Sequence, residues 1–458
     1  MEINTDQLVE KANLVINKGK KLGLEGVNIN SELNKILSTR FANSSIHQNF
    51  VDFETKFQIT AIQGKKNVMI TTNSIEEKDI LLALNKAAKI VVYLPDDPEF
   101  PGVMKDAQEY PKIKLNDPKA KNLAPSDVAD KIIGGMNKSH ELSPNVQSVS
   151  GSFNLKDGIS FFLSSEGSEN LTPVTSIIST INIMSNDGHG ESRSNASVGG
   201  RRFSELPFEE ESENAAKRSL LGLNAEKIET KSYPAILDYQ AVADQVFHIG
   251  YAMSARLVLD KASFLKDKVG EQVFAKQFSL VNDPHDPSFF SANPIDSEGV
   301  PTQKYTLINN GVVENFAHSR LTASKMGAKI SNGSACILFG TSIPLPFASK
   351  VLPGNKSRQQ LIEEMDDGLL VTNFHYSNFI DMPRGTETGM TKDGLFIIKN
   401  GEIVGSAKNM RFTDSITNMF SKAEISTETV QTPNFYGYAY DVPAIRIKEL
   451  NFSSKTDH

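Results

Sequence analysis

Tyr305-Thr306-Leu307-Ile308-Asn309-Asn310-Gly311-Val312-Val313 reads as a β-hairpin directly from the residues. Two apolar runs flank an Asn-Gly pair, and Asn-Gly accepts positive φ at both central positions of a type I′ turn. The same device recurs at Asn400-Gly401, between apolar residues 395–398 and 403–404. Turn chemistry crowds around the first hairpin, at Asn282-Asp283-Pro284 and at Asp296-Ser297-Glu298-Gly299. The second half of the chain therefore reads as strands and turns. A helix over 240–259 enters it, and a second one starts at Ser357, where Ser357 and Gln360 have capping-box spacing and Leu361, Ile362 and Met365 face inward.

The first half mixes periods. Leu8, Ala12, Val15 and Ile16 stand at helical spacing before Gly23, and Val51, Phe53, Phe57, Ile59 and Ala61 alternate with polar residues as in a half-buried strand. Ser74 and Glu77 suggest a capping box opening a helix whose inner stripe is Ile80, Leu81, Leu84, Ala87, Ala88 and Val91. A shorter helix is expected over 126–136. Strands are expected over 146–155 and 159–163, joined by an Asp157-Gly158 hairpin turn, and again over 174–184. Residues 186–202, rich in Gly, Ser and Asn, read as a surface loop or interdomain connection. A helix over 207–221 follows, with Glu209, Glu210 and Glu211 at its start and Lys217 and Arg218 near its end, as the helix dipole favours.

A chain of 458 residues exceeds one typical core. The expected fold class is α+β with two domains: an N-terminal α+β domain over 1–200, a connecting helix and linker over 201–230, and a β-rich C-terminal domain with hairpins and few helices over 231–458. A net charge of −7 argues against broad nucleic-acid binding, which needs cations set against phosphates. The small basic clusters Lys18-Gly19-Lys20-Lys21 and Gly200-Arg201-Arg202 read as solvated surface. No apolar run approaches the length of a membrane span, and the first residues lack a secretory pattern. With Cys336 as the single cysteine no intrachain disulfide can form, and a cytoplasmic location is the expectation.

An ordered series of segments resembles the TldD/PmbA family, also called the modulator of DNA gyrase family, in its PmbA (TldE) branch. The series runs through Val92-Tyr93-Leu94-Pro95-Asp96-Asp97-Pro98-Glu99-Phe100, Lys268-Val269-Gly270-Glu271, Asn282-Asp283-Pro284, Asp296-Ser297-Glu298-Gly299-Val300-Pro301-Thr302 and Ile308-Asn309-Asn310-Gly311-Val312. Thr322-Ala323-Ser324-Lys325-Met326-Gly327, Leu352-Pro353-Gly354, Gly368-Leu369-Leu370-Val371-Thr372 and Lys399-Asn400-Gly401-Glu402-Ile403 continue it. The resemblance implies a metallopeptidase acting on unfolded peptides, in which a TldD-like zinc subunit pairs with a zinc-free one as a heterodimer. A homodimer that binds peptides or another partner without proteolysis is the alternative, and neither reading calls for direct nucleic-acid or membrane contact.

The zinc branch carries His-Glu-x-x-x-His on a helix and a Cys near the C-terminus, and a catalytic zinc needs about three such ligands with a nearby carboxylate. Here the helix over 240–259 offers only His248, followed by Ile249, with Met253 where a second His would stand. Counting back from Val269-Gly270-Glu271 without gaps puts Val246 and Tyr251 at the ligand positions instead. The segment 435–443 has no Cys, and Cys336 lies far upstream. No metal or other cofactor is therefore expected on this chain, with zinc confined to a partner subunit, and no catalytic residue is assigned. His248, Asp296 and Glu298 are candidates for peptide or partner contact, and a hydrolase with a nonstandard site built on them is the outlying reading. Asp283, His285 and Asp286 read as a proline-bounded turn, and Gly188-His189-Gly190-Glu191-Ser192 as linker, since it is not the Gly-x-Ser-x-Gly of a nucleophile elbow.

Overall fold

A computed structural model describes residues 5–328, 330–338, 341–434 and 438–455. Among them, six antiparallel strands form the N-terminal sheet: β1 (Gly26–Ala42), β2 (Ser45–Gln63), β3 (Lys66–Thr72), β4 (Val146–Ser164), β5 (Glu169–Asn186) and β6 (Glu191–Gly200), in the order β3-β2-β1-β4-β5-β6. Four helices cover one face: α1 (Thr5–Lys21), α2 (Glu77–Val91), α3 (Pro125–Leu142) and α4 (Phe208–Leu221). The long strands run past two helix pairs, and one odd-numbered stripe serves both. In β1, Val27, Ile29 and Leu33 pack into the core beneath α1 and α2, while Leu37 and Phe41 pack into the core beneath α3 and α4. Side chains alternate along a strand, so the residues between them point to the opposite face.

That opposite face meets the C-terminal part. There β7 (Ser232–Leu237) sits in a mixed sheet of thirteen strands among the described residues, parallel to Asp367–Val371 and antiparallel to Ala439–Lys455. Helix α5 (Tyr239–Ala252) packs on this sheet with most of its residues buried. Both Asn-Gly hairpins form as expected. Asn310 and Gly311 have φ of 47° and 81°, and a Cβ at Gly311 would fall 2.2 Å from the Phe274 carbonyl oxygen. The Ser357–Gln360 capping box also forms. No helix of the described residues is long and apolar enough to cross a membrane. The α+β class is as the sequence indicates.

Several local expectations fail for identifiable reasons. Residues 186–202 are not a loop: they contain β6, whose inward positions Ser194, Ala196 and Val198 carry too little apolar bulk to show a period. Asp157-Gly158 is not a turn but the middle of β4, paired with β1 on one side and β5 on the other; a Cβ at Gly158 would fall 2.0 Å from the Leu33 carbonyl oxygen. The helix expected from Ser74 starts at Glu77, because Ser74 accepts from Glu76 N in a local turn rather than capping. The helix expected over 126–136 runs on to Leu142. The helix over 240–259 breaks after Ala252 and resumes at α6 (Ala255–Leu259).

The Gly200-Arg201-Arg202 cluster is likewise not all solvated surface. Arg201 is 5% exposed and bridges the two halves. Its guanidinium donates to the carbonyls of Thr175 (3.0 Å) and Leu115 (3.4 Å) on one side, and of Phe289 (3.0 Å), Phe290 (2.7 Å) and Ala292 (2.7 Å) on the other. Burial without a carboxylate pulls its pKa down to about 10. Arg201→Met is expected to destabilise the chain by about 3 kcal/mol or more, since several buried carbonyls lose their donor. Arg201→Lys should recover little, because an ammonium cannot reproduce the planar fork. Equilibrium denaturation of both variants checks this.

Candidate functional site

The alternation of β5 and β6 decides what faces α5. Ile177, Ile181, Ala196 and Val198 point into the helix-covered core, which leaves Ile178, Thr180, Asn195 and Ser197 on the other side. With α5 and the segments 373–378 and 392–393 they enclose an open cavity of about 690 Å³. A second hollow of about 510 Å³ shares Asn195, Ser197 and Gln240 with it, so the two form one trough between the sheets.

Helix α5 is fixed at its start. Asp238 caps it by accepting from Tyr239 N, and is held in turn by Arg358 through two bonds of 2.9 and 2.7 Å. Gln240, Asp244 and His248 then follow at four-residue spacing, so one face of the helix presents all three to the cavity. His248 Nδ1 stands 2.7 Å from Oε2 of Glu387, which is fully buried on the strand Thr386–Thr391; this is a charge contact rather than an aligned hydrogen bond. The imidazole ring also lies 5.2 Å from that of Phe379. Burial pulls the His248 pKa down, but Glu387, Asp244 and the Ser377 backbone outweigh it, and the ring holds its proton above the ordinary 6.5. Burial pushes the Asp244 carboxyl up to about 7 against the opposing pull of His248 and a hydrogen bond with Gln240. Burial also raises Asp393, 3.7 Å from Lys392, and lowers His375.

Asp296 and Glu298 do not line this cavity. They lie in the turn closed by Gly299, whose φ of 85° and contact with the Phe162 ring leave no room for a Cβ. Asp296 accepts from the backbone N–H groups of Glu298 (2.9 Å), Val300 (2.9 Å) and Ala335 (3.1 Å), and burial with Glu298 nearby pushes its pKa up to about 8. Burial likewise raises Glu298, which accepts from Arg320 N at 2.8 Å. Tyr110 donates to the Gly299 carbonyl, so this turn docks the N-terminal half onto the C-terminal one.

Asp283 meets Lys304 at 2.6 Å and Asp286 meets Lys350, in keeping with a structural turn. Residues 188–190 form the β5–β6 connection, with Asp187 accepting from His189 N and Gly190 N. Sequence reasoning passed over Asp244 and Glu387. The Asp244-x-x-x-His248 spacing was a readable signal for the first. Nothing around Glu387 pointed to the second.

The residues of α5 do not fit a zinc ion. Val246 is fully buried and apolar, Tyr251 offers a phenol, and His248 is engaged by Glu387 and the Ser377 backbone. Among the described residues no three His, Cys, Asp or Glu side chains gather as metal ligands would. Cys336 is buried elsewhere, its thiol pushed up to about 11 by burial. Of the segment 435–443, residues 435–437 lie outside the described residues.

Residues 230–454 match the PmbA/TldA metallopeptidase C-terminal domain. A metalloprotease of Methanocaldococcus jannaschii is 27% identical over 383 residues, 78% of this chain and 80% of that protein. Metalloprotease PmbA of Escherichia coli O157:H7 is 28% identical over 59% of this chain and 58% of its own length. The crystal structure of TldE from Thermococcus kodakarensis aligns with a TM-score of 0.88 over 97% of this chain and 100% of that one. At 20% identity that likeness speaks to the fold alone.

The buried cluster has a pH signature. His248 and Asp244 both hold protons more tightly folded than unfolded, so their stabilisation is complete at low pH. It fades as pH rises through about 7 for Asp244, and through the raised imidazole value for His248. Asp244→Asn is therefore expected to flatten the fall in melting temperature between about pH 4 and pH 7. Glu387→Gln should lower the His248 pKa and destabilise the fold by about 3 kcal/mol near pH 6, because it removes one partner of a buried pair. Thermal melts across pH and NMR titration of the imidazole check both.

Proposed function

Because this chain belongs to the TldD/PmbA family, we propose that it is the zinc-free, PmbA/TldE-like subunit of a cytoplasmic metallopeptidase that processes unfolded peptides, with catalysis on a separate TldD-like zinc subunit. A peptidase-related function follows at the level of the family, whose members are named metalloproteases. The observation that carries the finer reading is the donor set of α5. Where the resemblance calls for two imidazoles stand either Val246 and Tyr251 or His248 and Met253, and the one histidine among them is occupied by Glu387. A Lewis acid needs lone pairs at fixed distances, and this face supplies none in the required number.

What the chain contributes instead is a wall. The trough between the sheets joins hollows of about 510 and 690 Å³, and the strand Phe374–Asp381 at its side pairs only with Thr386–Thr391 among the described residues. Its free edge offers N–H and C=O groups to a peptide backbone, which gives binding that tolerates many sequences.

The isolated chain is expected to purify with far less than one zinc per molecule and to leave unfolded peptides intact, and activity is expected only once a His-Glu-x-x-x-His chain is added. Elemental analysis and a peptide-cleavage assay decide this. About one tightly held zinc per chain, lost together with activity on chelation, overturns the proposal. Affinity capture from the source cell is a second check: a zinc-motif partner supports the heterodimer, and a self-associated, peptide-binding chain without one supports the homodimeric alternative.

A further inference from the structure

We infer that the cavity between α5 and the outward face of β5 and β6 recognises an organic cation carried by an unfolded peptide, an ammonium or guanidinium group received by Asp244. The inference deepens the reading of this trough as a peptide path and rests on it.

It follows from the charges that face the cavity. From α5 come Asp244 and His248, and from the segments 373–378 and 392–393 come His375, Lys392 and Asp393; Glu387 does not line the cavity but touches His248 from behind. The exposed sides of β5 and β6 add only Ile178, Thr180, Asn195 and Ser197, which carry no charge. His248 is answered by Glu387 at 2.7 Å, and Lys392 by Asp393 at 3.7 Å. Asp244 has a hydrogen bond with Gln240 but no ion pair with lysine or arginine among the described residues. The unanswered charge is therefore negative, and it lies in a partly desolvated wall where an opposite charge counts for more than in water. A buried Ser377 Oγ without a partner stands in the same wall as a further acceptor. The rings of Phe247 and Tyr376 supply apolar flanks for a side-chain stem and faces that favour a cation. A volume of about 690 Å³ accommodates one long side chain with its neighbours.

His248 and Glu387 are positioning residues here: Glu387 stands 2.7 Å from the imidazole that also draws on Asp244, so two carboxyl groups face one imidazolium and the cluster keeps a net negative charge. Burial holds the Asp244 proton up to about 7, so a cation binds in competition with that proton. Affinity then increases as pH rises through neutrality. Loss of the His248 proton acts in the same direction, because it leaves the cluster more negative.

The test uses the full-length chain and three C-terminally labelled peptides in fluorescence anisotropy. They are acetylated Ala-Ala-Lys-Ala-Ala, unacetylated Ala-Ala-Ala-Ala-Ala, and the acetylated all-alanine peptide as neutral control. At least one cationic peptide is expected to bind about tenfold tighter than the control, in line with one charge-assisted hydrogen bond. Which one does so identifies a lysine side chain or a peptide amino terminus as the source. The preference should grow from about pH 6 to about pH 8 and shrink to near unity in Asp244→Asn. Equal binding of all three peptides by the wild-type chain overturns the inference, as does a preference that survives in Asp244→Asn. The wild-type pH dependence gives a readout that needs no variant. Zinc content measured on the same sample separates the two ideas: a zinc-bearing chain that still prefers cations sinks the functional reading alone, and a zinc-free chain without the preference sinks only this one.

Discussion

The Arg201 guanidinium holds the molecule's two halves in register. It is a charge buried without a counter-ion, satisfied only because carbonyls from both sides converge on its donors. Those carbonyls belong to Thr175 and Leu115 in the N-terminal half and to Phe289, Phe290 and Ala292 in the C-terminal half. The fork is planar, so it fixes the angle between the halves as well as their separation. The outward face of β5 and β6 thereby stands opposite α5, and the trough exists because that spacing is kept.

Supporting contacts act in the same sense. Tyr110 donates to the Gly299 carbonyl, Phe162 lies against Gly299, and Glu99 on the N-terminal side meets Arg256 and Lys325. These two cations hold the Glu99 carboxyl down to about 2, although its exposure means that solvent screens the pair. Asp296 and Glu298 belong to this docking surface. Their oxygens are committed to backbone N–H groups, which gives them a structural task whatever else they touch in an assembly.

Polarity is distributed to match. The helix-covered face of the N-terminal sheet carries Val, Ile, Leu and Phe at alternate positions, while the other face near α5 carries Thr180, Asn195 and Ser197. A wholly apolar second face would collapse onto α5 and close the trough. Polar residues there keep it open to water and to a peptide. Asp244 and His248 line this space with Glu387 against the imidazole, two carboxyl groups sharing one ring; burial keeps the Asp244 proton, while the carboxyl groups keep the proton of His248.

Residue spacing by itself determined the hairpins at Asn310-Gly311 and Asn400-Gly401, the helix carrying Leu8, Ala12, Val15 and Ile16, the helix over 207–221, and the α+β class, since each rests on local turn chemistry or on a period visible within one turn or strand. That Val246 and Met253 carry no imidazole was equally legible, because side-chain chemistry is a property of the residue alone. Tertiary structure alone decided that Ser- and Gly-rich residues 191–200 pair as β6, that Asp157-Gly158 passes straight through a sheet, and that Arg201 is buried. It alone brought Glu387 to His248 across nearly 140 residues of chain, through a contact of 2.7 Å. Pairing partners and buried charges are set by what lies across the fold, and no local period records a neighbour that distant in sequence.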